Sequence, residues 1–175
     1  MSDPVSAATA KLDRARFLYR ELATISRQYL FSLGPFEPKV MSDIEGSAYV
    51  VTITLPQPPT VLALVLGDFL NNLRSSLDYV ARQLVIAAGN SPIDGGPGST
   101  QFPIHLAAKG VPTTISPGIT EGARAILDRI QPYKAEPHAV AKHPLALLSL
   151  LNNTDKHQLL NLTALRACDG ITSFF

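Results

Sequence analysis

The run Gly67-Asp68-Phe69-Leu70-Asn71-Asn72-Leu73-Arg74-Ser75-Ser76-Leu77-Asp78-Tyr79 decides how this chain is read. It lies inside an apolar helical pattern from about 60 to 88, in which Leu62, Leu66, Phe69, Leu73, Leu77, Val80 and Leu84 recur at helical spacing before Gly89-Asn90. Thr60 is placed to cap that helix. Charged and amide side chains on a core helix are costly unless they are paired. A second polar run, Leu151-Asn152-Asn153-Thr154-Asp155-Lys156-His157, interrupts a later apolar helix. The two runs are expected to face each other, as a buried structural network or as a site.

Outward from this helix, the preceding one covers about 6–32, with Leu12, Ala15, Tyr19, Leu22 and Tyr29 on one stripe widened by Leu18 and Ile25. Its other face carries Lys11, Arg14, Arg16, Arg20 and Arg27 against Asp13 and Glu21, which reads either as a solvated surface or as one that approaches phosphate. Gly34-Pro35 ends it. Tyr49, Val51, Ile53 and Leu55 then alternate with Val50, Thr52 and Thr54, which predicts a β-hairpin over about 37–55 stopped by Pro56, Pro58 and Pro59.

After the central helix, a proline- and glycine-rich loop over 89–118 has the length of a lid or binding loop, and Gln101-Phe102-Pro103-Ile104 is expected to pin it to the core. A helix over about 120–131 uses Ala123, Ile126, Leu127 and Ile130 and stops at Pro132. The last helix, about 144–166, starts on Pro144 and presents Leu145, Leu148, Leu151, Leu159, Leu162 and Leu165. Ile171-Thr172-Ser173-Phe174-Phe175 reads as the opening of a strand, either continuing in a longer natural chain or pairing with the hairpin. The expected fold is therefore α+β and mostly α: one domain over 1–175, a four-helix bundle with a β-hairpin inserted after the first helix.

At 175 residues, 46% apolar and 17% charged, the chain suits one domain that buries roughly two-thirds of its unfolded surface. A net charge of +1 sets up no general field for nucleic acid or membranes. The single cysteine, Cys168, makes no internal disulfide, so a cytoplasmic location is expected. The longest apolar run, Val61 to Leu66, is far short of the ~20 residues that span a bilayer, and no signal-like leader opens the chain, so no membrane association is expected. Two glycosylation sequons, at Asn152 and Asn161, fall inside a predicted helix and read as chance.

The chemistry-bearing residues are few. Asn71, Arg74, Asp78 and Arg82 share one helix face, and Asn72 lies beside them. Either Arg74 and Asp78 pair along the helix while Asn71 bonds a neighbouring loop, or the Arg74 fork binds a phosphate or carboxylate in a helical cleft. Asn152 and Asp155 line up with Leu148 and point inward, where Asp155 needs a cation such as Arg74 or Arg82. No metal is expected: His157 lies roughly 200° around the helix from Asp155, and about 21 Å of helix separates it from His143. Nor is a cofactor, because Gly95-Gly96-Pro97-Gly98 lacks the lysine and the following helix of a phosphate loop. There is no Gly-x-Ser-x-Gly elbow, and Cys168 has no nearby histidine to activate it.

The blocks Gly67-Asp68, Asn72 to Tyr79, Phe102-Pro103-Ile104, Gln131-Pro132-Tyr133 and Asp155-Lys156-His157, over roughly 60–165, resemble those of uncharacterised bacterial proteins in which the first block carries an arginine, four residues and a histidine. That motif is similar to the one in HEPN helical-bundle ribonucleases. The resemblance implies metal-independent RNA cleavage by a homodimer of a bacterial or phage conflict system, with Arg74 stabilising phosphate. Tyr79 stands at the motif's histidine position, so proton transfer falls to Tyr79 or to His157 from the other helix. Asn71, Asn72, Asp78, Asn152, Asp155 and Lys156 are the candidate binding residues. Two functions are thus carried forward. One is an HEPN-like RNA-binding or degenerate ribonuclease module; the other is a non-enzymatic domain that binds a protein partner and whose polar blocks only fix helix packing.

Overall fold

In the computed structural model, residues 5–33, 39–42, 49–52, 56–95, 99–108, 115 and 118–157 are described. Four α-helices dominate: α1 (Ser6–Ser32), α2 (Thr60–Ala87), α3 (Glu121–Arg129) and α4 (Pro144–His157). Two 3₁₀ turns, Pro132–Lys134 and Val140–Lys142, connect α3 to α4.

The expected α+β class is corrected, because the protein is helical overall. Between α1 and α2, β1 (Lys39–Ser42) and β2 (Tyr49–Thr52) run antiparallel for four residue pairs, Lys39 opposite Thr52 and Ser42 opposite Tyr49. A two-stranded ladder this short carries no layer of its own, so it does not make the fold α+β, and the inserted hairpin expected over 37–55 is reduced to these four pairs among the described residues. Residues 43–48 and 53–55, and the strand expected at 171–175, lie outside the described residues, as does the stretch 158–166 of the last expected helix.

The four helices are not equal members of a bundle either. α2 is the axis of the molecule. α1 runs antiparallel to it, since Tyr19 meets Phe69 (ring centroids 6.1 Å apart) while Tyr29, further along α1, donates its hydroxyl to the carbonyl of Pro56 (2.5 Å). α4 is antiparallel to α2 on another side. Leu145 packs against the cluster that includes Ala81 and Val85, Leu148 packs with Ala63 and Leu70, and Asp155 reaches Gly67. α3 is short and joins the core through Leu127 and Ala123.

Because α2 is contacted from several sides, its buried set is not the single stripe that periodicity outlines. Ala63, Gly67, Ser76 and Ala81 are buried beside Leu62, Val65, Leu70 and Val85, whereas Leu66, Phe69, Leu73, Leu77, Val80 and Leu84 are only partly so. The helix starts without the expected cap: Pro59 is the N-cap residue and Thr60 the first helical one, with no side-chain cap bond. Its end is well made. Gly89 takes φ +80°, a left-handed conformation that glycine adopts without a Cβ penalty, and the Asn90 N–H returns to the Val85 carbonyl (3.1 Å). α3 is capped by Thr120, whose hydroxyl accepts from the Ala123 N–H (3.3 Å).

Candidate functional site

Arg74 and Asp78 sit one turn apart on α2 and form an ion pair (3.0 Å). Neither is directed at open solvent. Arg74 Nη2 donates to the carbonyl of Phe102 (2.8 Å), and Asp78 Oδ1 accepts from the N–H of the same Phe102 (2.8 Å). In an extended strand the N–H and C=O of one residue point to the same edge, where a neighbouring strand would take both. Here an acceptor and a donor from a helix take the place of that strand. The Phe102 side chain then enters the cluster formed by Ala81, Val85, Ile115, Ile119 and Leu127.

The opposite edge is held as well. Gln131, 1% exposed at the end of α3, donates from Nε2 to the carbonyls of Pro103 (3.0 Å) and Leu127 (3.0 Å), and its Oε1 accepts from the His105 N–H (2.9 Å). Odd-numbered residues face Gln131 and even-numbered Phe102 faces Arg74 and Asp78, as the alternation of an extended chain requires. Pro103 has no N–H to satisfy. The backbone of residues 102–105 is thus bonded by side chains on alternate edges, as a strand is by its neighbours.

The rest of the loop is tied in the same manner. The Ile93 N–H donates to the Thr100 hydroxyl (2.8 Å), and the Thr100 N–H returns to the Ile93 carbonyl (2.9 Å). Asn90 Nδ2 donates to the Gly118 carbonyl (3.2 Å), and Arg82 pairs with Asp94. Asp128 at the end of α3 accepts from the Tyr133 hydroxyl and pairs with Lys134 (2.8 Å). Hydrogen bonds from Lys134 and then Tyr133 hold the Asp128 carboxyl below the usual carboxylate range, while the Asp128 hydrogen bond, with burial second, pushes the Tyr133 phenol up to about 12.

The remaining candidates do not gather at Arg74. Asn71 is exposed, and Asn72 donates to the carbonyl of Asp68 one turn back (2.8 Å). Tyr79 is 37% exposed and lies five residues from Arg74, about 140° around the helix, so the two do not share a face. Asn152 is buried at 3% exposure. Asp155 does not form the expected interhelix ion pair, since Arg74 is taken by Asp78 and Arg82 by Asp94. It presses on α2 instead: a Cβ built on Gly67 would lie 2.7 Å from Asp155 Cγ and closer still to both carboxylate oxygens. The polar runs therefore do meet, through a glycine that leaves room for a carboxylate. Lys156 and His157 are helical positions whose side chains lie outside the described residues.

Thr100 and Asp94 are structurally decisive polar residues that sequence reasoning did not single out, and Gln131 entered it only within the block Gln131-Pro132-Tyr133, with no role assigned. Phe102-Pro103 was the available signal: a residue before proline is held extended, and an extended chain inside a helical protein needs partners on both edges.

Among the described residues, no three His, Cys, Asp or Glu side chains come together as a metal site, and no helix is long and apolar enough to cross a membrane. No family model, curated protein or solved structure matches the chain.

Proposed function

We propose that the chain is a non-enzymatic interaction domain of the cytoplasm, in which the polar blocks are a structural network and the partner is a protein. One observation carries this reading: both atoms of the Phe102 peptide that face α2 are taken by Arg74 and Asp78. Arg74 is 15% exposed at its side chain, with its fork committed to a carbonyl and a carboxylate. An HEPN-like role, as an RNA binder or a degenerate ribonuclease working as a homodimer, asks that same fork to meet a phosphate. It would first have to release Phe102. It would also need a proton carrier, and a tyrosine, Tyr79, stands where the motif has its histidine.

The test is incubation of purified protein with labelled single-stranded RNA in EDTA, comparing wild type, Arg74→Ala and His157→Ala, with a thermal melt of each. An interaction domain neither cleaves nor binds the RNA, and its Arg74→Ala variant melts early. Metal-independent cleavage lost in both variants, each still folded, would establish the ribonuclease reading in its place.

A further inference from the structure

Between α1 and α2 lies an open groove of about 370 Å³, lined by Leu12, Ala15, Arg16, Tyr19, Arg20, Phe69 and Leu73. We propose that it is a docking site for an acidic amphipathic helix of a partner protein. This proposal rests on the interaction-domain reading and gives the partner its chemistry.

Three features argue for that occupant. The apolar lining comes from Leu12, Ala15, Phe69 and Leu73, and Tyr19 beside it is left 60% exposed, a large apolar surface facing water. The rim is basic. Arg16 and Arg20 stand one helical turn apart, so their charges match acidic side chains spaced one turn apart on a helix laid along α1. Arg20 makes no ion pair among the described residues, while Arg16 holds Asp13 in a weak, exposed pair that a buried partner displaces. Finally, α1 as a whole carries Lys11, Arg14, Arg16, Arg20 and Arg27 against Asp13 and Glu21, so an acidic partner is steered to this face. RNA fits the groove less well. Bases stack on open aromatic faces, whereas Phe69 is partly buried and Leu12, Ala15 and Leu73 offer aliphatic carbon.

The test uses the full chain and fluorescence anisotropy with three labelled probes. One is a synthetic helical peptide with leucines on one face and glutamates flanking them; the second has lysines for the glutamates; the third is single-stranded polyuridine RNA. The glutamate peptide binds saturably and weakens as salt rises, and the other two do not bind. Arg20→Glu weakens the glutamate peptide about tenfold, while Arg27→Glu, an exposed change of equal charge outside the groove, alters it by less than about twofold. Failure of the glutamate peptide to bind folded protein overturns the proposal, as does equal weakening by the two substitutions or tight binding of the RNA at the groove. RNA cleavage in EDTA, by contrast, overturns the interaction-domain reading. A folded protein that neither cleaves RNA nor binds the peptide loses the groove proposal alone.

Discussion

The side chains that matter most are those that stand in for a β-strand. Gln131 uses its amide in the one orientation that serves both sides, two donor hydrogens toward the Pro103 and Leu127 carbonyls and the oxygen toward the His105 N–H. Gln131→Glu puts an acceptor where the carbonyls need a donor, buried at the same place, and is expected to cost more in chemical denaturation than Gln131→Ala, itself about 2–3 kcal/mol. Gly67 makes a second residue-scale prediction. An alanine favours a helix interior by about 1 kcal/mol over glycine, but here its Cβ meets the Asp155 carboxylate. Gly67→Ala is therefore expected to be more favourable in an Asp155→Ala background than in the wild type, where the Asp155 carboxylate has to move aside. A double-mutant cycle that gives additive effects would remove the contact from the account.

At the level of elements, the long helices were legible because α1 and α2 each carry many apolar residues at helical spacing, and their ends carry breakers such as Gly89. What sequence could not give was which α2 residues lie deepest. Periodicity weights large side chains, whereas the buried set of α2 also includes small ones, Ala63 packed with Leu148 of α4 and Ala81 packed with Phe102 and Leu127. The loop was legible only in part: Phe102 reads as an anchor, but the two bonds that hold its backbone come from residues 24 and 28 positions away. At the end of α3, the Asp128, Tyr133 and Lys134 cluster ties the helix to the following 3₁₀ turn and makes stability depend on pH. The Tyr133 phenol is raised in the fold, so its contribution is complete below its unfolded pKa of about 10 and is lost as pH rises through about 12. Asp128 is lowered, so its contribution is present above the ordinary 3.8 and is lost as pH falls through its lower folded value. Thermal melts across pH are expected to show an alkaline loss that Tyr133→Phe diminishes and an acid loss that Asp128→Asn diminishes.

For the molecule as a whole, the alternation at 49–55 suggested a sheet as part of an α+β fold, whereas the protein is helical overall. Two four-residue strands pair with each other there, and the core is built around α2. The blocks that resemble an arginine and histidine motif were legible as important, and the polar ridge Arg74 and Asp78 as a pair. Their purpose was not, because a helix face cannot announce that an extended segment will lie across it. In the folded chain three of those blocks, around Arg74, Phe102 and Gln131, come together on a single strand of backbone, and a fourth meets the first where Asp155 abuts Gly67. That convergence makes Arg74→Ala a stability variant, expected to cost about 2–3 kcal/mol by leaving Asp78 and the Phe102 carbonyl without their donor.

The most direct measurement is amide hydrogen exchange at Phe102 in the wild type and in Arg74→Ala. A structural clasp predicts a Phe102 N–H well protected in the wild type and exposed in the variant, while the amides of α1 keep their protection. A Phe102 amide that exchanges freely in the wild type, or one whose protection survives the loss of Arg74, would contradict the claim that this arginine and its aspartate exist to hold the strand.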